Sequence, residues 1–358
     1  MRILHVCDSI IGGTGSYLAE LLTLQAQRTS PGQITLLIPH EHRDHIEPRL
    51  ANSGVEFRYF SRPGRLLGMV LLAWAYWKVC RQFRPTIVHG HTFGAGLVTR
   101  LLHWRKRPAM IFCPHGWAFD IEMPAPARRL MILIEQMLAR RSDRIILISE
   151  HEQRRARAIG IAEHRLALVP NGISAITPDV DAVPWDDDRL KLLFVGRFDR
   201  QKGLDTLVDA VRPLGDRVTL RIVGAPAVGH GYHPPALDFI DIRGWQDRDG
   251  VVAEMKACDV LVVPSRWEGF GLVAVEAMRL GKPVVASAAG GLRDTLADGQ
   301  YGVIVPPDDP EALRAALLAL TPEKRAHFAA LGPVRFNERY TARRMADDIE
   351  RVYNVLEH

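Results

Sequence analysis

Short apolar runs alternate with helix-length segments along this chain; the alternation stops once and then starts again. In the first half the runs fall at residues 2–7 (RILHVC), 34–38 (ITLLI), 86–89 (TIVH), 109–113 (AMIFC) and 144–149 (RIILIS). In the second half they fall at 191–196 (KLLFVG), 218–223, 239–242, 259–264 (DVLVVP), 283–287 and 302–305. Helix-period segments such as 16–28 and 126–141 lie between them. Strands buried on both faces read as continuous apolar runs, and strand–helix alternation builds a parallel sheet covered by helices. The interruption at 174–190 carries two prolines and a cluster of acids without an apolar period, and it reads as a hinge. The pattern therefore predicts an α/β chain of two doubly wound parallel-sheet domains facing across a cleft. Their expected spans are residues 1–180 and 181–335, followed by an amphipathic terminal helix over 336–358.

Composition narrows the class further. With 47% hydrophobic and 24% charged residues in 358, the chain has material for two cores and lacks the signature of disorder. The longest apolar run, Leu66 to Trp77, is too short for a bilayer, which needs about 20 residues. The opening MRILHVCDS reads as a strand rather than a signal peptide. Cys7, Cys80, Cys113 and Cys258 form no CxxC pair, which suits buried free thiols in a reducing compartment. The expectation is a soluble, cytoplasmic protein.

Charge is unevenly spread: residues 1–180 carry a net +9 and residues 181–358 a net −4. A basic half implies an anionic partner. Residues 62–84 combine a long apolar stretch with Arg62, Arg65, Lys78, Arg81 and Arg84, and 128–144 repeats the theme. These segments read either as core helices with arginine at the rims or as basic amphipathic helices resting on anionic lipid. Nucleic acid is not expected, since no aromatic interleaving or reading motif accompanies the basic residues.

Four places could carry chemistry. Gly12-Gly13-Thr14-Gly15 separates the first strand from its helix; it is either a tight turn or a loop whose backbone, at Gly13 and Gly15, approaches an anion. Its spacing is not GxGxxG, and no lone acid closes a second strand to hold the ribose of NAD. Arg197 and Lys202 in GRFDRQKG follow a strand and precede a helix. Two cations there suit a diphosphate and the charge that builds on a leaving group, unless the loop is simply a solvated basic one. In SRWEGFGLVAVEAM, Glu268 lies in a glycine-bracketed turn, ahead of a helix beginning near Leu272. Backbone N–H groups from Phe270, Gly271 and Leu272 open toward the same space. Glu276 lies one turn into that helix among apolar neighbours, where a carboxylate needs donors such as the two hydroxyls of a ribose. The bland alternatives are a helix cap at Glu268 and an exposed Glu276. His115 in CPHGWAF follows a strand, as His89 and His91 close the one before, and is either structural or a ligand contact. No His, Asp and Glu set has metal-ligand spacing along the chain, and GxSxG and Walker A motifs are absent.

Glu268-x7-Glu276, with Arg197 and Lys202 upstream and Gly290-Gly291 downstream, resembles family 4 of the retaining glycosyltransferases. The resemblance runs from the Gly12-Gly13 loop through Pro170-Asn171-Gly172 to the terminal helix, and is most specific from Asp259 to Pro306. It implies a GT-B fold of two Rossmann-like domains and a hexose moved from a UDP- or GDP-linked sugar to a glycan or polyprenyl-linked acceptor. Arg197 and Lys202 match the positions holding the donor diphosphate, Glu276 the ribose-binding Glu, and Glu268 the Glu facing the hexose. Phe270, Gly271 and Leu272 match backbone contacts to sugar and phosphate, and His115 the first-domain His beside the sugar. The resemblance implies no cofactor and no metal, the basic pair standing where Mg²⁺ acts elsewhere. It also implies that the terminal helix braces the first domain. Bacterial cell-surface polysaccharide assembly, at the cytoplasmic face of the membrane, is the setting that fits. Two stretches depart from the family pattern: Val223-Gly224-Ala225-Pro226 lacks a second glycine, and Leu292-Arg293-Asp294 replaces the usual Pro-Glu. The competing readings are an epimerase or phosphorylase of the same fold, and a nucleotide-sugar-binding subunit without turnover.

Overall fold

A computed structural model describes residues 1–103, 108–185, 188–226 and 231–357. Asp186 and Asp187 of the acidic break, and His358 of the terminal helix, lie outside the described residues. The chain divides into two units, Met1–Ser174 with Thr341–His358, and Ala175–Tyr340.

The first unit holds β1 (Ile3–Cys7), α1 (Gly13–Arg28), β2 (Ile34–Pro39), β3 (Glu56–Phe60), α2 (Arg65–Phe83), β4 (Ile87–His91), α3 (Thr92–Leu101), β5 (Ala109–Cys113), α4 (Ala125–Ala139), β6 (Arg144–Leu147), α5 (Glu150–Ala158) and β7 (Leu166–Leu168). Its sheet runs β3-β2-β1-β4-β5-β6-β7, parallel throughout. The strands β1, β2, β4 and β5 are buried along their whole lengths, as their apolar runs require. The sequence pattern omits β3 and β7. The first is a half-exposed edge strand carrying Glu56 and Arg58, a pattern that discourages edge pairing and hides the strand from a search for apolar runs. The second is three residues long.

Helix α2 is apolar nearly all round. Leu72, Ala75, Tyr76 and Val79 pack into the core against Leu4, Leu37 and Val88. Leu66, Leu67, Val70, Trp74 and Trp77 face outward, with Leu66 87% and Trp74 60% exposed. The core reading of this segment thus holds for one face, and the other apolar face is exposed.

The second unit holds β8 (Leu190–Val195), α6 (Leu204–Val211), β9 (Val218–Val223), β10 (Ile240–Gly244), α7 (Arg248–Ala257), β11 (Val260–Val263), α8 (Leu272–Arg279), β12 (Val284–Ser287), α9 (Gly291–Thr295), β13 (Val303–Val305), α10 (Pro310–Leu318) and α11 (Pro322–Arg339). Its parallel sheet runs β10-β9-β8-β11-β12-β13. Part of the stretch read as a hinge is fastened to this unit. Arg221 on β9 stacks over Trp185 at 4.3 Å and donates to the Val183 and Pro184 carbonyls, while Lys256 Nζ reaches the Val180 carbonyl at 2.8 Å. The division accordingly lies at Ser174/Ala175, a few residues ahead of the boundary the composition suggests.

The last helix, α12 (Ala342–Glu357), belongs to the first unit and packs on α1. Arg28 pairs with Asp347 and Glu350 at 2.6 and 2.7 Å. At its start Ala342 N donates to the Ile173 carbonyl, and a Cβ on Gly172 would lie 2.3 Å from the Thr341 carbonyl oxygen. Only a residue without a side chain fits there.

Candidate functional site

In the second sheet the chain winds one way from β8 and the other way from β11, so the loops leaving these adjacent strands diverge. Open α/β sheets bind ligands at such a point, outside the carboxyl ends of the strands. The loop after β8 carries Arg197 and Lys202, and the loop after β11 carries Glu268. Lys202 Nζ donates to Glu268 Oε2 at 2.5 Å, both side chains being largely buried. Arg197 pairs instead with Asp199 at 2.9 Å and donates to Gln201 Oε1, leaving its guanidinium at the surface. Asp199 also caps the single helical turn Arg200–Lys202 by accepting from Lys202 N. Arg197 and Lys202 therefore share a loop but have different partners.

Close backbone approach holds the loops in place. Gly203 has φ +64°, and a Cβ there would lie 2.1 Å from the Pro264 carbonyl oxygen. Gly290 has φ +52°, and its Cβ would lie 1.7 Å from the Glu268 carbonyl oxygen, while Gly291 N donates to that same oxygen. The Gly290-Gly291 pair thus fixes the backbone of Glu268. Gly271, in the left-handed region, heads α8 without a side-chain cap. The first amides of α8 are accordingly free of a capping side chain, a ready anion site. Phe270 is buried against Tyr340, Leu272 is half-buried, and Glu276 is half-buried one turn along α8.

Arg266 is the residue that sequence reasoning passed over in this loop. It makes paired hydrogen bonds to Asp205 at 2.8 Å each, and reaches Asp308 and the Arg200 carbonyl as well. Burial pushes the Asp205 carboxyl up, but the hydrogen bonds and charge of Arg266 outweigh it and hold Asp205 below the usual range. Its position between Ser265 and Trp267 gave no sign of this, because the partners are distant in the chain.

His115, at φ +53°, follows β5 in the first unit. It is the outer member of a row of imidazoles that the fold gathers from β1, β4 and the loop after β5. His115 Nε2 meets His91 Nδ1 at 3.0 Å, His91 Nε2 meets His5 Nδ1 at 3.0 Å, and His5 Nε2 meets Gln25 Oε1 at 3.0 Å. His89 Nδ1 meets the Tyr353 hydroxyl at 2.7 Å. Burial lowers His5 to about 4, against the Gln25 hydrogen bond, and His115 to about 3. His89 and His91 are held well below their usual range, by burial and then by the neighbouring histidines. Glu152 accepts from Gly116 N at 2.5 Å and Ile148 N at 3.0 Å, pinning the turn after His115. Burial raises its carboxyl to about 8, the two backbone donors opposing.

Spacing along the chain hides this cluster. In space, His5, His89 and His91 form one group able to share an ion, and His91, Cys113 and His115 another. The signal available in the sequence was His5 inside one apolar strand and His89 with His91 in another. The glycine loop also lies in this unit: Gly12 has φ +83° with open space around a Cβ position, and Gly13 begins α1. At Gly15 a Cβ would strike the Ile10 carbonyl oxygen at 2.1 Å, so chain packing requires a glycine there.

A model of the family described as "Glycosyl transferases group 1" matches residues 189–322, and a model described as "Glycosyl transferase 4-like domain" matches residues 12–172. The first range contains Arg197, Lys202, Glu268 and Glu276; the second contains His115 and the glycine loop. A 41.2 kDa protein in the cps region of Klebsiella pneumoniae is 28% identical over 85% of this chain and 86% of its own length. A D-inositol 3-phosphate glycosyltransferase of Geodermatophilus obscurus is 31% identical over 75% of this chain, which spans 66% of that protein. Among solved structures, Anabaena HepE in complex with UDP-glucose superposes with a TM-score of 0.81 at 19% identity, over 99% of this chain and 100% of that one. At that identity the likeness is one of fold. With one glycosyltransferase model on each of its two units and the parallel-sheet architecture to match, this chain belongs to the group 1 glycosyltransferases of GT-B fold.

Proposed function

We propose that this protein is a retaining hexosyltransferase of family 4, moving a hexose from a UDP- or GDP-linked sugar to a glycan or polyprenyl-linked acceptor. The observation that carries the reading is the Lys202–Glu268 ion pair at the point where the second sheet reverses its winding, beside the uncapped start of α8. An ammonium and open helix amides suit a diphosphate leaving group, whose growing charge they stabilise without a protein-held metal or cofactor. In this reading Lys202 and Arg197 hold the diphosphate, and Glu276 accepts the two ribose hydroxyls. Glu268 and the Phe270–Leu272 backbone face the hexose, and His115, Gly13 and Gly15 are the candidate donor contacts of the first unit. Attack on the same face as departure, through an oxocarbenium-like state, gives retention. HepE with bound UDP-glucose supports a nucleotide-sugar donor. The Klebsiella relative in the cps region supports cell-surface polysaccharide assembly.

The exposed face of α2 supports a peripheral position on the cytoplasmic side of a membrane. Leu66, Val70, Trp74 and Trp77 form one apolar stripe, with Lys78 over Trp74 at 5.2 Å and Arg81 over Trp77 at 4.9 Å. Such a face suits an anionic lipid surface, where a polyprenyl-linked acceptor resides. No helix among the described residues is long and apolar enough to cross a membrane.

The test is a transfer assay with UDP-, GDP- and ADP-hexoses and a polyprenyl-diphosphate sugar as acceptor. One nucleoside diphosphate should be released, with the anomeric configuration retained and no loss of rate in a chelator. Inversion, or a rate abolished by the chelator, overturns the mechanism. Tight binding of a nucleotide sugar without turnover would favour the non-catalytic subunit.

A further inference from the structure

The proposed function uses His115 alone, yet three more histidines and two further side chains stand behind it in the first unit. Their hydrogen bonds have a direction that can be worked out. A neutral imidazole has one donor nitrogen and one acceptor nitrogen, and burial keeps His5, His91 and His115 neutral. The relay ends on Gln25 Oε1, which can only accept, so His5 carries its proton on Nε2. His5 Nδ1 is then an acceptor and takes a hydrogen bond from His91 Nε2. His91 Nδ1 is in turn an acceptor and takes one from His115 Nε2. The Gln25 amide is itself oriented beside Tyr353 on α12: burial pushes that phenol up, and Gln25 opposes the shift, as an amide N–H turned toward the hydroxyl does. Tyr353 is fully buried, so that end of the relay is enclosed.

We propose that Gln25, oriented by Tyr353, is a positioning residue that fixes His115 as its Nε2–H tautomer through His5 and His91, leaving His115 Nδ1 as a bare acceptor. Nδ1 has no hydrogen-bond partner among the described residues and is not among the buried polar atoms lacking one. His115 therefore accepts a hydrogen bond from a substrate hydroxyl and does not donate one. Reversing one ring alone would set two lone pairs, or two protons, face to face at 3.0 Å in a buried site, at the cost of a lost hydrogen bond and an unsatisfied group. An ion shared by His5, His89 and His91 would instead need His91 to break a hydrogen bond on this row. That the hydroxyl belongs to a sugar rests on the proposed function; the tautomer does not.

The experiment is a long-range ¹H–¹⁵N correlation spectrum of protein labelled with ¹⁵N-histidine and free of substrate, with His115 assigned through His115→Asn. Wild type should show His5, His91 and His115 protonated at Nε2. Gln25→Glu, which keeps an acceptor, should preserve that pattern, whereas Gln25→Met should leave His115 as a mixture of tautomers. Turnover of Gln25→Met should fall by about tenfold, the factor carried by one ordinary hydrogen bond, with KM for the donor little changed. A wild-type His115 protonated at Nδ1 overturns the proposal, and this reading stands even if Gln25→Met does not fold. So does an unchanged His115 tautomer in a folded Gln25→Met, or one equivalent of zinc in protein purified without added metal or chelator. An Nε2–H tautomer in a protein that transfers no sugar would count against the proposed function only.

Discussion

Lys202 Nζ lies 2.5 Å from Glu268 Oε2, joining the loop after β8 to the loop after β11 through the two side chains assigned to the sugar donor. Under the proposed function, a diphosphate at this point competes with Glu268 for the ammonium, so binding would exchange one ion pair for another. The net gain in donor affinity expected from Lys202 is small for that reason. Its worth grows as the leaving diphosphate gains charge and outcompetes the carboxylate, which is the condition for raising turnover rather than affinity.

Lys202→Ala should lower kcat by about 10²–10³, the usual loss on removing one preorganised charge stabiliser, while changing nucleoside diphosphate affinity by less than about tenfold. Steady-state kinetics with calorimetric titration of the same variant separates the two effects. Equal losses in kcat and affinity would show that Lys202 only binds.

Glu276→Ala should weaken UDP or GDP binding by about 1–3 kcal/mol, the worth of hydrogen bonds to a charged acceptor, with a smaller effect on kcat at saturation. Titration of the variant with UDP, GDP and ADP checks it, and undiminished affinity for all three would remove Glu276 from the ribose.

The first unit should be most stable near neutral pH. The four buried histidines are lowered from 6.5, His5 to about 4 and His115 to about 3, so the unfolded chain binds more protons than the folded one below pH 6.5. Stability therefore falls as pH drops through that window. Glu152 acts oppositely: raised to about 8, it keeps a proton in the folded state that the unfolded chain releases above 4.5, so its contribution declines up to pH 8. Below 6.5 four groups oppose one and the histidines prevail; above it Glu152 acts alone. Hydrogen exchange of the β4 and β5 amides from pH 5 to 8.5, corrected for intrinsic rates, should show protection rising and then falling. In Glu152→Gln the upper decline should vanish, and its persistence would place the cause elsewhere.

Trp74→Gln with Trp77→Gln should reduce co-sedimentation with phosphatidylglycerol-containing vesicles by more than about tenfold, since each indole brings about 1.5–3 kcal/mol of apolar burial. Binding should also weaken with salt, because Arg65, Lys78 and Arg81 contribute electrostatically. Wild-type protein that ignores such vesicles would end the membrane reading and point to a protein partner for this face.

The strand runs, the single interruption, the glycine-bracketed turn at Glu268 and the two cations after β8 are all legible in the sequence, because each depends on neighbours within a few residues. The identities and approximate placement of β1, β2, β4, β5 and β6 follow from that local pattern. The edge strand β3 does not, since its exposed charged residues suppress the apolar signal. Arg266 is equally hidden: the residues that give it meaning, Asp205 and Asp308, stand far from it in the chain.

The sequence by itself determined two α/β domains, a candidate site loop after each of two central strands, and the residue types in them, because periodicity and turn chemistry are local. Tertiary structure alone decided which groups meet. It paired Lys202 with Glu268, while Arg197 took Asp199. It turned one apolar face of α2 inward and the other outward, which no periodicity could separate in a helix apolar on both sides. It also drew His5, His89, His91 and His115 into one buried row ending on Gln25 and Tyr353. Parallel pairing sets β1 beside β4 and β4 beside β5, so residues more than eighty positions apart become hydrogen-bond partners.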